Sequence, residues 1–88
     1  MPNQQNEYVG PLAGAIIRLL EQKGMNTRQL IHQLPDQEFI TVKDFNLEIA
    51  SLKRDQYIRE NKLGYMYVMK RSLNYLERER EEEKALTA

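Results

Sequence analysis

The sequence predicts an α+β domain: three helices, a β-hairpin and a closing helix. Three observations carry this. Apolar residues recur at helical spacing in three punctuated segments before residue 56. A short stretch after them is rich in aromatic and β-branched residues and is interrupted by Asn61-Lys62-Leu63-Gly64. A charged segment that opens on Ser72 follows.

The first helix is expected to begin at Pro11 or Leu12, because a proline in the first helical position loses nothing by lacking an N–H. Leu12, Ile16, Leu19 and Leu20 form its apolar stripe, which Ala13 and Ile17 widen enough for packing on two sides. Gly24 is the expected left-handed terminator. Asn26 or Thr27 caps the second helix, whose stripe is Leu30, Ile31 and Leu34 and whose stop is Pro35. Arg28, Gln29, His32 and Gln33 are expected to face water. A link over 37–40 follows, with a strand-like pair at Phe39–Ile40. Thr41 caps the third helix, with Asp44 three residues on, in a variant of the capping box. Val42, Phe45, Ile49 and Leu52 fall on its inner face, and it runs to about Asp55.

Tyr57–Asn61 and Tyr65–Met69 are the expected strands, joined by a turn where Gly64 or an asparagine takes a positive φ. One face of the return strand carries Tyr65, Tyr67 and Met69, the other Met66 and Val68. Both are apolar, whereas a hairpin wetted on one side alternates. A cover is therefore expected on the second face: the closing helix, the N-terminal arm or a second subunit. In the closing helix Leu73, Tyr75 and Leu76 anchor the first turn. Within-helix pairs Arg78–Glu82, Glu77–Arg80, Arg80–Glu83 and Glu81–Lys84 follow, each worth about 0.2–0.5 kcal/mol. The chain divides into a flexible N-terminal arm over 1–10, in which Tyr8 and Val9 could pack on the body, a domain over 11–76 and a charged helical extension over 77–88.

Composition limits the function. The 88 residues make one domain, 41% hydrophobic and 30% charged, as suits a globular chain. The absence of cysteine removes disulfides and thiolate metal sites, and His32, the single histidine, builds no metal site alone. Neither a signal peptide nor a membrane span is readable, so the expected address is the cytoplasm. No cofactor, metal or small-molecule site is evident. No nucleophile–base set and no phosphate-cradling glycine loop is present, so the chain is not expected to be an enzyme. Net charge is zero, yet residues 1–76 carry ten Lys/Arg against eight Asp/Glu, and residues 41–72 carry seven against four. An acidic end masks a mildly basic body.

Three segments carry a family resemblance: Ile16–Gly24, Asn26–Leu34 and Ile49–Ile58. In order and length they resemble the first helix, the helix that opens the helix-turn-helix, and the end of the recognition helix in winged-helix regulators of the MarR-like and PadR-like groups. The resemblance spans roughly residues 12 to 76 and rests on apolar spacing. It implies a winged helix, with a three-helix helix-turn-helix core, a β-hairpin wing and a C-terminal helix. It also implies transcriptional regulation through double-stranded DNA and a homodimer, as in the small stand-alone regulators common in phages and mobile elements. Two departures stand out. Gln56 occupies a corner where the family usually has glycine, and the wing turn holds one basic residue, Lys62.

On that implication the third helix enters the major groove. With Phe45, Ile49 and Leu52 inward, Lys43, Leu47, Ala50 and Arg54 point outward. Asn46 and Lys53 lie on one flank; Asp44, Glu48 and Asp55 lie on the other. Arg54 or Lys53 can donate to phosphate or guanine, and Asn46 can bond adenine. Arg28, Arg59 and Lys62 are expected at phosphates, as are Lys70 and Arg71 if the hairpin end faces the duplex. Tyr65, Tyr67, Leu73, Tyr75 and Leu76 are the expected dimer contact. The alternative is a winged-helix protein-interaction module without DNA binding, which the zero net charge and an exposed Leu47 favour.

Overall fold

A computed structural model describes residues 10–34 and 41–87. The expectations for the arm, for the stop at Pro35 and for the pair Phe39–Ile40 lie outside the described residues. The element order is α1 (Pro11–Gln22), α2 (Thr27–Gln33), α3 (Val42–Arg54), β1 (Ile58–Glu60), β2 (Met66–Val68) and α4 (Lys70–Thr87). It is an α+β fold of four helices and one antiparallel hairpin.

α1 is the central element. It starts at Pro11 and buries Ala13, Gly14, Ile16, Ile17 and Leu20, while Leu12 and Leu19 pack at the margin. α2, α3, α4 and β2 all touch it, so its wide apolar face is used on several sides. Gly24 does not end this helix in the left-handed region, as Gly64 is the one described glycine with positive φ. The chain instead leaves α1 extended at Lys23. Gly24 serves close approach, since a Cβ there would stand 3.2 Å from the Met66 carbonyl oxygen. That approach lets Met25 and Met66 exchange two backbone hydrogen bonds, of 3.1 and 2.7 Å. β2 thus lies between β1 and a one-residue strand at Met25.

A full capping box opens α2. Asn26 Oδ1 accepts from the Gln29 amide at 2.9 Å, and Gln29 Oε1 accepts from the Asn26 amide at 3.0 Å. Gln29, expected to face water, is therefore a half-buried structural residue. Thr41 Oγ1 accepts from the Asp44 amide at 3.0 Å and so caps α3. Asp44 in its first turn and Lys53 and Arg54 in its last oppose the helix dipole favourably. Phe45, Ile49 and Leu52 enter the core. Val42 does not. It is 67% exposed, because it lies one turn before Phe45, where the core has ended.

The end of α3 is a Schellman motif. The Tyr57 amide donates to the Leu52 carbonyl (2.9 Å) and the Gln56 amide to the Lys53 carbonyl (3.1 Å). Gln56 sits at φ +65°, the left-handed position that the motif requires. Leu52 and Tyr57, the motif's usual apolar pair, are both buried. The strands are shorter than expected, with Ile58 opposite Val68, Arg59 opposite Tyr67 and Glu60 opposite Met66. In the turn Gly64 takes φ +88°, and Asn61 Oδ1 accepts from the Leu63 and Tyr65 amides at 2.9 and 3.0 Å.

α4 starts two residues before Ser72, which is not its cap. Ser72 is fully buried, with its hydroxyl on the Tyr57 carbonyl at 2.5 Å. Leu76 joins the core; Leu73, expected beside it, is exposed. Beyond Leu76 the helix keeps contact with α1. Arg18 Nη1 bonds Glu79 Oε1 at 2.9 Å, and Arg80 Nη2 reaches both Glu21 oxygens at 2.7 and 2.9 Å. These cross-helix partners are invisible to within-helix spacing. No helix among the described residues is long and apolar enough to cross a membrane.

Candidate nucleic-acid interface

The inward set of α3 being Phe45, Ile49 and Leu52, the 100° advance per residue sends Lys43, Leu47, Ala50 and Arg54 to the far side. All four are exposed, as are Asn46 and Lys53 on one flank. On the other flank Asp44 and Asp55 are exposed and Glu48 is half-buried. The charges are therefore segregated along the helix, and no other described element covers its outer face.

The C-terminal end of this face leads into two grooves. Arg54 is the last member of the outward stripe and a wall of both. One groove adds Lys53, Gln56, Ile58, Arg59, Glu60 and Met69. The other adds Asp55, Gln56, Met69, Lys70 and Arg71. The fold thus brings Lys53, Arg54 and Arg59 together with Lys70 and Arg71, the two cations whose expected role depended on which way the hairpin end faces. Lys43, Asn46 and Ala50 lie earlier on α3; Arg28, on α2, and Lys62, in the hairpin turn, are exposed and line neither groove.

The cations in this region are unequal. Lys53 Nζ is hydrogen-bonded to Glu60 Oε1, which sets its charge against a carboxylate of β1. Both partners are exposed, so the pair adds little stability. Among the described residues Arg54 makes long contacts, to Ser51 Oγ at 3.3 Å and Asp55 Oδ1 at 3.5 Å. Arg71 holds the corner itself. Its Nη1 donates to the Asp55 carbonyl at 2.8 Å, and its guanidinium lies 4.6 Å from the Tyr57 ring centroid. Arg59 projects from β1 on the same face as Tyr67.

The residues expected at a dimer contact separate into two groups. Tyr65, Tyr67 and Leu73 are exposed. Leu76 is 2% exposed and belongs to the chain's own core, because α4 folds back onto α1. Tyr75 is half-buried and its hydroxyl donates to Glu79 Oε2 at 2.7 Å. Burial, and then the Glu79 carboxylate that accepts this proton, raise the phenol above its ordinary value of 10.0. Hydrogen bonding to Glu21 likewise raises the Arg80 guanidinium.

The two roles most hidden in the sequence are those of Arg71 and Glu60. Glu60 lies seven residues from Lys53, across the α3–β1 corner, and only the corner's geometry brings the two together. Compared with family models, curated proteins and solved structures, the chain has no significant match.

Proposed function

We propose that the chain is a winged-helix DNA-binding regulator that lays α3 in the major groove and uses the β1–β2 hairpin as its wing. The observation that supports this reading is the uncovered face of α3. It offers Lys43, Asn46, Lys53 and Arg54 around Ala50, whose small side chain permits close approach to base edges. Arg28, Arg59 and Lys62 supply phosphate contacts that hold register. Tyr65, Tyr67 and Leu73 supply the contact of a homodimer on a two-fold site, and the reading assigns no catalytic role.

Titration against random and genomic duplexes at two salt concentrations tests it. A DNA binder loses affinity steeply with salt as phosphate contacts release counterions. Absence of binding at low salt sinks the proposal. The second reading is a protein-interaction module on the same scaffold. Val42 and Leu47, 67% and 60% exposed on α3, favour it, as does the zero net charge. Under that reading Leu47→Ser abolishes partner binding and the parent chain ignores duplex DNA.

A further inference from the structure

Arg54 joins two surfaces. It closes the outward stripe of α3, and it stands in the wall shared by both corner grooves. Around those grooves stand Lys53, Arg54, Arg59, Lys70 and Arg71 against two carboxylates, Asp55 and Glu60. Glu60 is engaged by Lys53, and Arg71 is anchored on the Asp55 carbonyl and the Tyr57 ring. The exposed side chains of Arg54, Arg59 and Lys70 remain around Met69 and Gln56 as the cationic surface of the corner. The hairpin tip is different in kind. It presents Leu63, 82% exposed, beside the single cation Lys62.

Resting on the DNA-binding reading above, we propose that the corner where α3, β1 and α4 meet is a seat for the phosphate backbone of the duplex. Arg54, Arg59 and Lys70 contact phosphates there, and Arg71 acts as a positioning residue that holds the corner in shape. The strand that leaves the α3 face therefore runs along the base of the hairpin and the first turn of α4. Phosphate is the ligand class that fits, for three reasons. The three cations come from α3, β1 and α4 and are spread along the corner, an arrangement that can follow an extended anion. They line two open grooves that share Arg54, Gln56 and Met69, with Arg59 in one and Lys70 in the other, and no unpaired buried polar side chain among the described residues points to a small molecule there. Arginine and lysine on an open surface bind phosphate without reading sequence.

Lys70 provides the cleanest test, because the sequence resemblance gives it no place in base reading. Lys70→Gln is compared with the parent chain and with Lys23→Gln, which removes the same charge at the end of α1. Binding to one specific and one random duplex is measured over a series of salt concentrations. The expected result is a log–log salt dependence shallower by about 0.9, and affinity about eightfold weaker near about 0.1 M salt, the same on both duplexes. Lys23→Gln leaves both quantities unchanged. If the parent chain binds and Lys70→Gln binds with the same affinity and slope, the corner seat is overturned while the DNA-binding reading stands. A loss confined to one sequence also overturns the seat. If the parent chain binds neither duplex, both fail together.

Discussion

The Ser72 hydroxyl donates to the backbone carbonyl of Tyr57 at 2.5 Å, and both residues are buried. The same carbonyl accepts from the Met69 amide at 2.8 Å. One acceptor thus joins the end of the α3 corner to the start of α4. Ser72→Ala leaves the carbonyl one partner, so the loss should fall near the low end for a buried hydrogen bond, about 1 kcal/mol. Urea unfolding checks this, and an unchanged midpoint would show that the bond does not fasten α4.

Gln56 holds φ +65°, a conformation that costs an L-residue roughly 1–2 kcal/mol relative to glycine. Gln56→Gly relieves that strain and increases the entropy of the unfolded chain, which offsets part of the gain. A net stabilisation of about 0.5–1 kcal/mol should raise Tm by about 4 °C. A fall in Tm would mean that the glutamine side chain contributes more than the corner's backbone.

Tyr75 should make stability sensitive to alkali. Its folded pKa is raised, by burial and by the Glu79 carboxylate, so the native state holds the phenolic proton more tightly than the unfolded state does. The contribution is complete below the unfolded value near 10.0 and is lost as pH rises through the folded value. Tyr75→Phe removes that group's titration. The gap between parent and variant should narrow above pH ~10. A gap that widens with pH contradicts the assignment.

Asn46 and Arg59 should separate base reading from backbone contact. Asn46→Ala is expected to alter which duplexes are preferred, because a bidentate amide–adenine pair carries about 1–3 kcal/mol of discrimination. Arg59→Gln is expected to weaken all duplexes alike. Competition among a library of duplexes reads both, and identical sequence profiles for the two variants would remove α3 from its reading role.

The three-helix order was legible from residue spacing because helical periodicity and caps are local. Pro11, Asn26 and Thr41 stand where the three helices open, and Phe45, Ile49 and Leu52 point inward as their spacing predicts. The outward stripe of α3 followed from that inward set by rotation alone. Val42 departed from the pattern because periodicity does not tell where the core ends. Leu73 and Leu76, both expected to anchor the first turn of α4, part company for a related reason: Leu76 is buried and Leu73 exposed. Both are apolar and three apart, and only the position of α1 decides which of them is covered.

The sequence alone determined the helices and the hairpin turn, consequences of forces that act within a few residues, whereas the positive φ at Gln56 belongs to the folded corner. Tertiary structure decided the rest. It turned Gly24 from a helix terminator into a point of close approach to Met66. It buried Ser72 against Tyr57, and joined Glu79 and Arg80 to Arg18 and Glu21 across two helices. It gathered Arg54, Arg59 and Lys70 around one corner. These contacts link residues brought together only by the packing of α1, α3, the hairpin and α4, and no periodicity within a single element encodes them.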